Sequence, residues 1–173
     1  MLVVVVMIGL LVAVVVPRFR ISPQARVRAA ADQMVRDLEL ARARALGTRS
    51  WTRVIFDPAT SSYTGFLDFN RDSIFAQSAE ESDSLHGFSS RTLDSKVIFG
   101  RGAAPDVPSL PGAGAITFAN SRIDFDARGL TNPFGTKGVI YLLHRDDPTA
   151  MAAVTVSGAA GVRTWLYDGA AWR

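Results

Sequence analysis

Two stretches place chemically capable side chains at suggestive spacings. In "DFNRDS", Asp68, Asn70 and Asp72 alternate. Oxygen donors at that spacing begin a calcium loop. Such a loop needs glycine at its sixth position and glutamate at its twelfth. Here those positions hold Ser73 and Ala79, with Glu80 and Glu81 just beyond. A solvated loop is the competing reading, and no metal site is assigned. The second stretch is C-terminal: Arg163, Trp165 and, past Trp172, Arg173. Arginine can contact phosphate without reading sequence, and tryptophan can stack on exposed bases. Two arginines make a weak footprint, however, and Asp168 lies between them; an ordinary last hairpin competes with a DNA contact.

Other motifs fail on inspection. The only histidines, His86 and His144, lie far apart and the chain has no cysteine, so zinc-ligand spacing is missing. "HRDD" at His144 has Met151 where a kinase catalytic loop needs asparagine. "GAG" at Gly112 has Thr117 where a dinucleotide loop has its third glycine, and no G-x-S-x-G is present. No catalytic residue and no cofactor is predicted.

The net charge of +3 on 173 residues is too small to imply nucleic-acid binding. Its distribution is uneven. Between Arg18 and Arg53 arginines far outnumber the acids Asp32, Asp37 and Glu39, whereas downstream the acids predominate.

These stretches must be positioned by three kinds of element. The chain opens with "MLVVVVMIGLLVAVVVPRF", and no charged or polar side chain precedes Pro17. Residues 1–16 would form a helix of roughly 24 Å, a little short of the ~20 apolar residues that span a bilayer. The run lacks the basic start and small-residue cleavage site of a secretory signal. It is too apolar on every face for an ordinary core helix. Arg18, Arg20, Arg26 and Arg28 follow it, and by the positive-inside rule would hold the downstream side in the cytoplasm. Next, Val27, Ala31, Met34, Leu38, Ala41 and Ala45 recur at helical steps within "SPQARVRAAADQMVRDLELARARALG". Either Ser22 caps a new helix with Pro23 at its first position, or Pro17 and Pro23 kink one long helix. Gly47 is a candidate stop, and the charged face reads as solvated or filament-lining. The remainder alternates short β-rich runs with turn residues: "TRVIFD" and "YTGFLD" as a hairpin, then "SKVIFG", "GAITFA", "RIDFDA", "GVIYLLH", "MAAVTVS" and "VRTWLYD". One helix followed by about eight strands predicts an α+β domain with its helix packed on antiparallel β-sheet. Trp51 and Trp165 are expected in the core or between helix and sheet.

The N-terminal run, with Gly9, Pro17, Arg18 and Phe19, resembles the start of type IV pilins and type II secretion pseudopilins. Met1 then follows directly on the family's Phe-Thr-Leu-Ile-Glu-like pentad. A gene start assigned too late, or a trimmed chain, is the expected reason for the absent leader and glutamate. With those pieces the run reaches ~21 residues, and the basic leader keeps the N-terminus inside. "DLELARARALGTRSWTRVIFD", the Phe125-to-Gly129 turn, the "AAVTVS" strand and the Gly161-to-Arg163 turn resemble the GspH/FimT-type branch. The resemblance covers most of the chain except about residues 70–111.

It implies a pilin-like α+β fold in three parts. Residues 1–16 would be the transmembrane part of the N-terminal helix, 17–47 a continuous amphipathic stalk, and 48–173 a periplasmic β-rich domain. It implies an inner-membrane, single-pass minor pseudopilin of a type II secretion system, with other pseudopilins or pilins, the prepilin peptidase and membrane lipid as partners. Leu2, Val6, Gly9, Leu10, Ala13 and Pro17 would serve anchoring and assembly, and Ala29, Ala30 and Ala31 would allow close helix approach. The alternative is a minor pilin of a type IV pilus, priming assembly or taking up DNA through Arg163, Trp165 and Arg173. A remoter alternative is a membrane-anchored periplasmic enzyme.

Overall fold

The computed structural model describes residues 22–72, 74–75, 90–108 and 110–173. Leu2, Val6, Gly9, Leu10, Ala13, Pro17 and His86 lie outside the described residues. Among the described residues no helix is long and apolar enough to cross a membrane.

Helix α1 spans Pro23–Thr48. Ser22 has extended backbone (φ −64°, ψ 147°), and its hydroxyl accepts from the Ala25 N–H at 3.2 Å. That bond satisfies one of the free N–H groups of the first turn, and Pro23 has none to satisfy. The helix therefore begins at Pro23 and does not run through Ser22, which favours the capped reading over the continuous stalk. The far end differs from expectation. The helix passes Gly47 and ends at Arg49, in the left-handed region (φ 52°, ψ 38°). Side chains relieve the last turn: Thr48 Oγ1 donates to Arg44 O at 2.7 Å, and Arg71 Nη2 donates to Thr48 O at 3.1 Å.

Nine strands follow among the described residues: β1 (Thr52–Asp57), β2 (Ser62–Leu67), β3 (Ser90–Thr92), β4 (Val97–Phe99), β5 (Arg122–Phe125), β6 (Thr131–Asn132), β7 (Gly138–His144), β8 (Asp147–Val156) and β9 (Val162–Tyr167). They form two antiparallel sheets, of order β3-β2-β1-β5-β6 and β4-β7-β8-β9. The β1–β2 hairpin is as predicted; Asp57 accepts from Ala59 N–H at 2.9 Å and from the Thr60 hydroxyl at 2.7 Å to hold its turn. "GAITFA" is not a strand. It supplies one bridge, Ile116 to Ile140, and residues 113–115 before it are bends. β3 and β6 were not predicted; at three and two residues they are too short for a period to register.

Helix α1 buries Val27, Ala31, Met34, Leu38, Ala41 and Ala45 completely, the stripe that the sequence spacing predicts. It lies chiefly across β8, flanked by β7, β9 and β1. This main core takes Ile140, Leu142, Ala152, Val154 and Val156 from the four-stranded sheet and Val54, Phe56, Ile123 and Phe125 from the five-stranded sheet. Phe56 of β1 meets Phe99 of β4 edge-on at 6.0 Å, joining the two sheets. Alternate residues of β7 and β8 (Val139, Tyr141, Met151, Ala153) point the other way and form a second core with Ala104, Val107 and Trp172. Trp165 packs on this second core, on the side away from α1, so it does not sit between helix and sheet.

Candidate functional site

The surface that α1 leaves open is the candidate assembly face. Ala25 and Ala29 are exposed and Ala30 is half-buried, whereas Ala31 faces the molecule's own core. Only the first three can admit a neighbouring helix, which corrects the expectation for Ala31: its step of four from Val27 puts it on the inward stripe. Beside these alanines runs a groove of about 300 Å³, walled on the helix side by Gln33 and across from it by Tyr63, Arg91 and Leu93.

A buried acid braces that groove. Asp37 is only 3% exposed, although it lies on the helix that sequence reasoning gave a solvated charged face. It accepts from the Tyr63 hydroxyl at 2.7 Å, from Arg91 Nε at 3.0 Å and from Gln33 Nε2 at 3.0 Å. Burial first, and then the bond to Asp37, raises the Tyr63 phenol pKa, so it stays a donor. The hydrogen bond to Asp37 likewise raises the pKa of Arg91. One carboxylate thus ties α1 to β2 and β3. A second buried pair lies in the five-stranded sheet, where Arg53 binds Asp124 through two bonds of 2.7 Å. Sequence reasoning missed both pairs. The available signal was small: Arg53 and Asp124 each interrupt an apolar β run, but nothing local matches them.

The predicted site residues are placed as follows. Asp68 is buried, and its carboxylate accepts from the Asp72 N–H at 3.2 Å. Asn70 donates its amide to Asp72 at 2.8 Å, and Asp72 accepts from the Ile74 N–H at 2.7 Å. These oxygens close a turn on its own N–H groups. Among the described residues no group of three His, Cys, Asp or Glu could hold a metal ion. His144 is buried, and its Nδ1 accepts from the Asp146 N–H at 3.3 Å within the β7–β8 turn.

The C-terminal residues are not brought together as one patch. Arg163 and Trp165 lie on β9, with the guanidinium 4.3 Å from the indole centroid, which covers one ring face. Arg173 sits by the other end of β9, where it exchanges backbone bonds with Leu166 (2.8 and 2.9 Å) and pairs with Asp168 at 2.8 Å. Trp172 turns inward and donates its indole N–H to Pro105 O at 2.9 Å.

With the geometry in place, the chain can be set beside solved structures. It matches the minor pseudopilin EpsH of the Vibrio cholerae type 2 secretion system at 12% identity, over 80% of this chain and 95% of that one, with a TM-score of 0.52. A second EpsH structure matches at 14% identity over 88% and 98%, again with a TM-score of 0.52. The type IV minor pilin FimU of Pseudomonas aeruginosa matches at 13% identity over 85% and 92%, also at 0.52. No protein-family model matches the chain, and no curated protein sequence does. The described residues have the type IV pilin-like α+β fold, an N-terminal helix packed on antiparallel β-sheet.

Proposed function

We propose that this protein is a structural minor subunit of a pilin-like filament, and specifically a minor pseudopilin of a type II secretion system. One observation carries the reading. A capped helix lies across an antiparallel sheet in the fold of EpsH and FimU, in a chain that opens with sixteen residues without a charged or polar side chain. An all-apolar helix can exchange lipid for neighbouring helices at small net cost, because the two surroundings are similarly apolar. Exposed Ala25 and Ala29 then let a neighbour approach α1 closely. On this reading the apolar run anchors the subunit in the inner membrane, the described domain faces the periplasm, and the partners are other pilin-like subunits. Arg18 and Arg20 would meet lipid phosphates at the membrane surface.

Deleting the gene in its source cell tests the reading. A secretion subunit predicts accumulation of secreted proteins in the periplasm with normal surface pili. Loss of pili or of DNA uptake with normal secretion would move the assignment to the type IV pilus. The FimU likeness favours that second reading as much as the EpsH likeness favours the first. In the pilus case, replacing Arg163 and Arg173 by alanine in the intact chain would lower DNA retention. Unchanged retention would remove those arginines from it.

A further inference from the structure

We infer that the open edge of β9 takes an extended, acid-bearing segment of a different pilin-like subunit as a further strand. The inference rests on the filament reading and names one of its contacts.

β9 is an edge strand. On one side β8 pairs with it in unbroken register, from Met151–Tyr167 to Val156–Val162. Its other side is half used. Leu166 donates its N–H to Arg173 O at 2.8 Å and accepts the Arg173 N–H at 2.9 Å, and a bridge joins Tyr167 to Trp172. Alternate residues of an antiparallel strand turn their peptide groups to the same side. Thr164 and Val162 therefore turn theirs outward with Leu166, whereas the Arg163 carbonyl turns to β8 and accepts from the Thr155 hydroxyl at 3.3 Å. Among the described residues nothing bonds the N–H and C=O of Val162 or of Thr164. These groups continue the line on which Arg173 already pairs. Such an edge is a template for another chain unless it is blunted. The stretch from Val162 to Trp165 has no proline and no lysine, and no bulge interrupts its pairing with β8. The other edge strands of the two sheets, β3, β4 and β6, are only two or three residues long.

The side chains beside this edge define the chemistry of the guest. Toward α1, Thr164 Oγ1 donates to Asp32 at 3.5 Å, and Asp32 also meets Arg28 at 3.8 Å, so charge is balanced there. Away from α1, the exposed Arg163 guanidinium lies 4.3 Å from the Trp165 ring centroid and has no carboxylate partner among the described residues. A guest strand sets every second side chain on that face, and a carboxylate there pairs with Arg163. A second copy is the wrong guest. Two β9 edges pairing through Val162 and Thr164 about a two-fold axis would set Arg163 against its own copy, and like charges directly opposite destabilise a sheet. Backbone bonds hold the guest strand, and the acid selects it.

The chain has no cysteine, so a thiol introduced at exposed Ala159, in the turn before β9, is unique. Full-length chain carrying Ala159→Cys replaces the native copy in the source cell. Its membranes are treated with a short thiol–amine cross-linker, and adducts are identified by mass spectrometry. The expected adduct joins a different pilin-like subunit. Thr164→Pro should lower its yield about tenfold, because one outward N–H is lost at a position where an edge strand tolerates proline. Thr164→Ala keeps that N–H and should leave the yield unchanged. Arg163→Glu should lower it about fivefold, by setting like charges together. The unfolding midpoint of each variant is measured alongside. If Thr164→Pro does not fold, Arg163→Glu decides alone. Undiminished yield in the folded variants, adducts joining only copies of this chain, or an adduct with a protein outside the pilin-like class would overturn the inference. Ala29→Cys on the open helix face separates the two levels of argument. If that thiol cross-links to other pilin-like subunits and Ala159→Cys does not, the filament reading stands and this contact falls. If neither does, both fall.

Discussion

The four-stranded sheet is covered on both faces, by two different devices. On one face α1 lays Val27, Ala31, Met34, Leu38, Ala41 and Ala45 over Ile140, Leu142, Ala152, Val154 and Val156. On the other, the loop after β4 and the C-terminal tail lay Ala104, Val107 and Trp172 over Val139, Tyr141, Met151 and Ala153. A helix satisfies its own backbone as it buries a stripe. A loop cannot, so side chains must reach its peptide groups. Val107 N–H donates to the Tyr141 hydroxyl at 3.2 Å. Arg101 donates to Ala104 O at 2.9 Å and to Gly112 O at 2.8 Å, and Trp172 reaches Pro105 O at 2.9 Å. Cooperative burial holds the helix face. A few single bonds and one indole hold the loop face, so it should open locally before the molecule unfolds.

Substitutions on the two faces should therefore differ in kind as well as size. Leu38→Ala removes a fully buried side chain from under α1 and should cost about 3 kcal/mol. Denaturant unfolding should show a lower midpoint with an unchanged slope; a change of slope would mean that the helix face is not part of one cooperative unit. Trp172→Ala should cost about 2 kcal/mol, less than a central Trp because it lies at the chain terminus. Amide exchange should quicken over residues 101–111 and stay slow in α1; equal loss in both would abolish the distinction between the faces. Tyr141→Phe takes away the acceptor of the Val107 N–H and should cost about 1 kcal/mol, again read first in the exchange of that loop.

The smallest effect expected is a pH effect at a turn outside both faces. Burial alone would raise the Asp126 pKa, but the N–H groups of Leu130 and Arg128 and the Arg128 side chain outweigh it, and the net shift is downward. A carboxylate with a lowered folded pKa stabilises the fold above its unfolded pKa of about 3.9. That contribution fades as pH falls through the lower folded value. Asp126→Asn should flatten the acid limb of stability below about pH 4 while leaving the exchange pattern of both faces unchanged. An unaltered acid limb would show that this turn contributes nothing to it.

These two faces also mark how far the sequence could be read. The α1 stripe was legible because its residues repeat at a fixed short period, and so were the long strands β1, β7, β8 and β9. The loop face was not. Nothing beside Trp172 in the C-terminal stretch marks it as buried, and its partner Pro105 lies 67 residues away. The Asp37 brace was hidden for the same reason: Tyr63 is 26 and Arg91 is 54 residues distant. For the candidate site, the sequence reading reached Ala29 and Ala30 but counted the buried Ala31 with them and did not name the exposed Ala25, although helical phase from the buried stripe separates them. The exposure of Phe134 had no sequence signal, because an exposed phenylalanine and a buried one look alike in a short turn-rich segment.

The sequence by itself determined the class of fold and the facing of its helix, since both follow from local periods, a serine–proline cap and an apolar run set before them. Only the tertiary structure decided which charges are buried and that the four-stranded sheet is covered twice. Those features depend on contacts between residues far apart in the chain. Their energies come from shared burial and matched hydrogen bonds, which no window of neighbouring residues contains.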